Sequence, residues 1–201
     1  ARVTTIKPSG TTSCVVGTSS GIHSWHSKFY IRNMQCQVGD DLYNFFTTHH
    51  PKLIKIMDYD PGSAVIGIPQ KAPDTAILRE TESALDLIDR VTKFNLEWVK
   101  PGHRRGPNTN NVSATISCKP EEWEEVGDWM WNNKHTFNGL SVLPYDGGTY
   151  TQAPFEDIKK SQYETMMESL NQVDLSKIVE TTDETDLSGE LACAGGACEI
   201  T

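Results

Sequence analysis

The chain has 201 residues and a mass of 22.4 kDa, with 37% hydrophobic and 22% charged residues, which suits one ordinary domain with a modest core. Its net charge of −9 and pI near 5.1 argue against a DNA or RNA polymer as the main partner. No apolar run approaches the roughly 20 residues that a membrane-crossing helix needs, so no membrane partner is expected. The opening Ala-Arg-Val-Thr-Thr has neither an initiator Met nor an apolar core, so no secretory leader is expected and a longer parent protein is.

The chain order of turns and periodicities reads as α/β. Residues 3–7 read as a strand entering the turn Pro8-Ser-Gly-Thr-Thr-Ser13, and residues 28–35 read as a second strand. Asp40 and Asp41 can cap a helix through Leu42, Tyr43, Phe45 and Phe46 that His49-His50-Pro51 would end. Residues 64–68 form a short apolar run suited to a buried strand. The longest helix is expected over 73–99, with Leu85, Ile88, Val91, Leu96 and Val99 on one side and Pro101-Gly102 as its stop. An alternating stretch, 112–118, predicts a strand. Pro120-Glu-Glu122 then opens a helix bearing Trp123, Val126, Met130 and Trp131 at helical spacing. Residues 140–143 predict a strand ending at Pro144, and residues 160–170 a last helix. Strands and helices in alternation, with connections long enough for crossovers, imply some parallel pairing.

Residues 1–179 form the expected body. From Glu180 to Thr201 there are six carboxylates and no Lys or Arg, so two thirds of the net charge sits in the last tenth of the chain. A segment so acidic and free of aromatics cannot bury enough surface to offset its ordering entropy, and 180–201 is expected to be a flexible arm.

Two motifs could carry chemistry. Lys7-Pro-Ser-Gly-Thr-Thr-Ser13 crowds four hydroxyls into a turn after a strand, and hydroxyls with backbone N–H groups there suit phosphate oxygens. The same turn could instead be an ordinary polar one whose Ser and Thr bond their own backbone, since it lacks the Gly and Lys pattern of a nucleotide-triphosphatase loop. The second motif is Cys193-Ala-Gly-Gly-Ala-Cys198, whose two glycines allow the thiols to fold back on one another. On a flexible arm such a pair could travel and exchange disulfides, although two incidental thiols in a frayed tail remain the alternative. Structural zinc needs four ligands, and no second pair is present, so no metal site is expected. The remaining thiols, Cys14, Cys36 and Cys118, make the total odd and too thinly spread for a secreted scaffold, and a reducing cytoplasm is the expected compartment. His23 and His26 lack a nearby carboxylate or thiol in sequence, His103-Arg-Arg105 is a small basic turn, and Trp123, Trp129 and Trp131 read as packing residues.

Taken together, Lys7-Pro-Ser-Gly-Thr-Thr-Ser13, Ser20-Gly-Ile-His23 and Phe29-Tyr-Ile-Arg32 resemble the end of the adenosylcobalamin-dependent ribonucleotide reductases. Asn110-Asn-Val-Ser-Ala-Thr115, Gly139-Leu-Ser-Val-Leu-Pro-Tyr-Asp-Gly-Gly148, Tyr150-Thr-Gln-Ala-Pro-Phe-Glu156 and Glu190-Leu-Ala-Cys-Ala-Gly-Gly-Ala-Cys-Glu199 resemble the monomeric, triphosphate-reducing branch. The resemblance implies the C-terminal part of a ten-stranded α/β barrel, with Ser9, Gly10, Thr11 and Thr12 contacting the substrate phosphates. It implies that Cys193 and Cys198 are the redox shuttle that re-reduces an active-site disulfide and is itself reduced by thioredoxin. It further implies a ribonucleoside triphosphate substrate, adenosylcobalamin as the radical source, and a role in making deoxyribonucleotides for DNA synthesis. The radical cysteine and the active-site dithiol would lie upstream of residue 1, so the chain alone is expected to be inactive without that missing half. A different class of function, a stand-alone phosphate-binding and thiol-exchange module without radical chemistry, accounts for the same two motifs.

Overall fold

The computed structural model describes residues 6–10, 12–106, 108–145 and 151–179. In chain order its elements are α1 (Thr12–Val16), β1 (Phe29–Gln37), α2 (Asp41–His49), β2 (Ile54–Ile56), β3 (Ser63–Lys71), α3 (Ala84–Phe94), a π-helical turn (Asn95–Val99), α4 (Lys100–Gly102), β4 (Thr115–Cys118), α5 (Trp123–Asn132), β5 (Ser141–Pro144), β6 (Phe155–Asp157) and α6 (Lys160–Leu170). They divide into two compact units, one drawn from the described residues of segments 1–25 and 75–147 and the other from the described residues of 26–74 and 148–201.

The first unit buries one face of α3 against a small parallel sheet. Strands β4 and β5 pair in parallel with Thr115 opposite Ser141, and Ile6 adds a parallel bridge to Val112. Leu87, Ile88, Val91, Ile116, Cys118 and Val126 form the centre of its core. The parallel pairing expected from the alternation is present here.

The expected helix over 73–99 is shorter at its start. Residues 77–79 run extended against Trp25, whose N–H donates to the Ile77 carbonyl at 2.9 Å and whose carbonyl accepts from the Arg79 N–H at 2.8 Å. Helix α3 begins only at Ser83, where a capping box pairs Ser83 and Asp86 in both directions. At its other end α3 widens at Asn95 into the π turn, in which the Lys100 N–H reaches the Asn95 carbonyl, and the helical run continues through α4 to Gly102, past the expected end at 99. The indoles divide as well. Trp129 stacks on Phe137, whereas Trp123 and Trp131 are 42% and 74% exposed, which corrects the packing role expected of those two.

The second unit is built on a four-stranded sheet of order β2-β3-β1-β6, antiparallel throughout. Strands β1 and β3 pair over nine residues, from Phe29 opposite Lys71 to Gln37 opposite Ser63. Cys36, Phe45, Phe46, Leu53, Ile54, Ala64 and Ile66 form its core, with Met166 and Leu170 of α6 packed against it. The Asp40 carboxylate caps α2 by accepting from the Tyr43 N–H, as the sequence predicts.

Candidate functional site

The hydroxyl-rich turn lies in the first unit, between the Ile6–Val112 bridge and α1. The Ser9 hydroxyl accepts from the Ser13 N–H at 2.9 Å, and the buried Ser13 hydroxyl donates to the Ser9 carbonyl at 2.8 Å. These two bonds tie Ser9 to Ser13 at the start of α1. Ser9 is half-buried, while Gly10 and Thr12 are exposed. Thr11 lies outside the described residues. The turn therefore uses the Ser9 and Ser13 side chains to hold its own shape and leaves Gly10 and Thr12 at the surface.

A second loop, residues 18–23, lies behind this turn. The Ser20 hydroxyl accepts from the Ser9 N–H at 2.8 Å and donates to the Ser9 carbonyl at 3.0 Å. With Ser13 and Ser20 both donating to it, the Ser9 carbonyl has both lone pairs filled.

His23 fixes that loop in turn. Its Nε2 accepts from the Thr115 N–H of β4 at 3.0 Å, and its Nδ1 lies 2.9 Å from the Ser20 carbonyl. A backbone N–H can only donate and a carbonyl can only accept, so the ring is the neutral tautomer protonated on Nδ1. Arg90 of α3 donates to the Ile22 carbonyl at 2.7 Å and to the Glu82 carboxylate at 2.5 Å, and the Glu82 side chain is only 6% exposed.

Sequence reasoning singled out Ser9, Gly10, Thr11 and Thr12 but gave Ser20, His23, Arg90 and Glu82 no role in the turn. Their contacts span 11, 92 and 68 residues for Ser9–Ser20, His23–Thr115 and Ile22–Arg90, so no local pattern could reveal them.

The thiols separate by environment. Cys193 and Cys198 lie outside the described residues. Burial pushes the Cys36 thiol up to about 11, with the Asp40 charge adding to it. Cys118 is raised by burial and, secondarily, by Glu122. Both are held protonated, the opposite of an activated nucleophile, while Cys14 is exposed. Among the described residues no group of three or more His, Cys, Asp or Glu could hold a metal ion. Among them also, no helix is long and apolar enough to cross a membrane.

No family model matches the chain. Individual relatives do. It is 27% identical over 207 residues to the adenosylcobalamin-dependent ribonucleoside-triphosphate reductase of Levilactobacillus brevis, 28% identical over 214 residues to that of Lacticaseibacillus paracasei, and 27% identical over 216 residues to that of Lactobacillus leichmannii. Each match covers 98% of this chain and 26% of the relative. In fold, the chain matches a crystal structure of a B12-dependent (class II) ribonucleotide reductase with a TM-score of 0.68 and 23% identity, over 86% of this chain and 23% of that one. Along nearly its whole length, then, the chain is similar to the adenosylcobalamin-dependent ribonucleoside-triphosphate reductases, and it spans about a quarter of the length of the relatives it matches.

Proposed function

We propose that this chain is the C-terminal, phosphate-holding quarter of an adenosylcobalamin-dependent ribonucleoside-triphosphate reductase, contributing the last strands of a ten-stranded α/β barrel. The observation that carries this reading is the similarity over 98% of the chain to reductases four times its length. Such an enzyme converts ribonucleoside triphosphates to deoxyribonucleotides in the cytoplasm for DNA synthesis, and this chain is inactive until joined by the upstream part that holds the radical cysteine.

In this reading the turn at Ser9, Gly10, Thr11 and Thr12 receives the triphosphate. The exposed Thr12 hydroxyl and the side-chain-free approach over Gly10 support that role, and the bonds among Ser9, Ser13 and Ser20 keep the turn formed before substrate arrives. Hydroxyl donors suit phosphate oxygens at any pH at which the phosphate is charged, because they need no ionisation of their own.

Cys193 and Cys198 would then act as the relay. Their two thiols reduce the active-site disulfide by exchange, becoming a disulfide themselves, and thioredoxin returns them to thiols. Adenosylcobalamin supplies the radical when bound to the whole enzyme. Both ring nitrogens of His23 are engaged within the chain, and none of the described residues is assigned to the cobalt.

The test is a chimera in which this chain replaces the matching quarter of the Lactobacillus leichmannii reductase. Reduction of ribonucleoside triphosphates with adenosylcobalamin and thioredoxin is expected. A folded chimera that binds triphosphate yet forms no deoxyribonucleotide would refute the proposal.

A further inference from the structure

We infer that Ser20 and His23 are positioning residues that set the shape of the anion-binding turn, so that its affinity for a polyphosphate depends on a hydrogen-bonded chain running from β4 into the turn. The inference rests on reading the Ser9–Thr12 turn as an anion site, and it adds residues that never touch the anion.

The chain of bonds is continuous. The Thr115 N–H donates to His23 Nε2, His23 Nδ1–H donates to the Ser20 carbonyl, and the Ser20 hydroxyl closes on the N–H and carbonyl of Ser9. Each link has one geometry. The imidazole must keep its proton on Nδ1, and the Ser20 hydroxyl must donate to the carbonyl because the N–H already occupies it as an acceptor. Ser9 is thus held on both its peptide groups by one side chain.

The consequence concerns which groups stay available to a ligand. With the Ser9 N–H turned toward Ser20 and the Ser13 N–H toward the Ser9 hydroxyl, neither backbone donor faces an incoming anion. Backbone contacts at these two positions are closed, and the Ser9 hydroxyl, which only accepts from the Ser13 N–H, keeps its own proton to donate to an anion beside exposed Gly10 and Thr12. Holding Ser9 and Ser13 in place removes conformational freedom that binding would otherwise have to remove at these residues, which raises affinity without a new contact.

The experiment uses the full chain and inorganic tripolyphosphate, followed through the amide signals of Ser9, Gly10, Thr12 and Ser13 by NMR. In the unaltered chain these signals shift and saturate, the Ser9 amide exchanges slowly, and the His23 imidazole shows a protonated Nδ1 with an unprotonated Nε2. Ser20→Ala is expected to weaken tripolyphosphate binding about tenfold and speed Ser9 exchange by a similar factor, with little change in thermal midpoint. Ser20→Thr keeps the hydroxyl and is expected to restore both. Ser20→Ala that binds as tightly as the unaltered chain while Ser9 exchange speeds up overturns the positioning role and leaves the anion site standing. An unaltered chain that shows no shift at any of the four amides overturns the anion site itself, and the positioning role with it. Should Ser20→Ala fail to fold, His23→Ala makes the same comparison one bond further from the turn, and unchanged affinity there overturns the inference.

Discussion

The carbonyl oxygen of Lys7 lies 2.5 Å from where a Cβ on Gly21 would sit. Gly21 also has φ of +59°, so the loop behind the hydroxyl-rich turn crosses the entering chain at a point that only glycine fits. Gly17, four residues earlier, has a similar φ of +64° but open space around it, and it separates the two costs. Gly17→Ala is expected to cost about 1 kcal/mol, the backbone term alone. Gly21→Ala adds a collision with backbone that cannot rotate away, and about 3 kcal/mol is expected. Equal losses for the two in denaturant unfolding would contradict the close crossing.

Arg90 and Glu82 hold the same loop from the other side. Arg90→Met would leave the Glu82 carboxylate, 6% exposed, without its partner, and a loss of about 3 kcal/mol is expected. Adding Glu82→Leu removes the stranded charge and should return much of that loss, though the Ile22 carbonyl still lacks its donor. A double variant no more stable than Arg90→Met alone would show that the pair is not coupled.

Helix α3 opens on a reciprocal cap, in which Ser83 and Asp86 each satisfy the other's backbone N–H at 3.1 and 2.9 Å. Hydrogen bonds from the Ser83 hydroxyl and N–H hold the Asp86 carboxyl below its ordinary range. A carboxyl held down in the folded state contributes stability at pH values above its ordinary 3.8, and that contribution disappears as pH falls through the folded value. Ser83→Ala is expected to cost about 1 kcal/mol near neutral pH and less in acid. A loss independent of pH would place the effect outside the capping box.

That cap marks the limit of what sequence reveals here. The Asp40 cap and the span of α6 were legible because their causes lie within a few residues, and the strand expected over 28–35 and the alternating stretch 112–118 match β1 and β4 to within a few residues. The start of α3 was misread although Ser-Ala-Leu-Asp signals a cap, because apolar spacing could be extended back to Pro73 and only the pairing of Trp25 with Leu78 forbids it. Strands β2 and β6 have three residues each and exist through their pairing with β3 and β1, so their own sequences carry almost no signal. The candidate site divides in the same way. Hydroxyl composition marked Ser9 and Thr12, whereas Ser20, His23 and Arg90 act on the turn through contacts that fold alone creates.

The Cys36 thiol, pushed up to about 11 from its ordinary 9.0 mainly by burial, makes the second unit sensitive to alkali. An acid whose folded pKa is raised stabilises the fold fully below pH 9 and loses that contribution as pH climbs through 11, because the unfolded chain releases the proton first. The denaturation midpoint is expected to fall between pH 9 and 11, and to fall less in Cys36→Ala. The same burial predicts that a thiol reagent at pH 8 labels exposed Cys14 long before Cys36 or Cys118. Comparable labelling rates at Cys14 and Cys36 would contradict it.

The relay assigned to Cys193 and Cys198 makes a prediction about electrostatics as well as turnover. Glu190 and Glu199 flank the pair, and there is no Lys or Arg from Glu180 to Thr201. Like charge disfavours the thiolate, so these thiols should react no faster than an ordinary cysteine toward a small electrophile, and delivery rather than activation must make them effective. In the chimeric reductase, Cys193→Ser with Cys198→Ser is therefore expected to abolish turnover with thioredoxin while sparing turnover with a small dithiol that reaches the active-site disulfide directly. On the relay reading, deleting residues between Val179 and Cys193 should have the same selective effect, because the pair would lose reach without losing chemistry. Equal loss with both reductants would remove the relay role, since damage to the catalytic barrel, unlike loss of a carrier, spares neither.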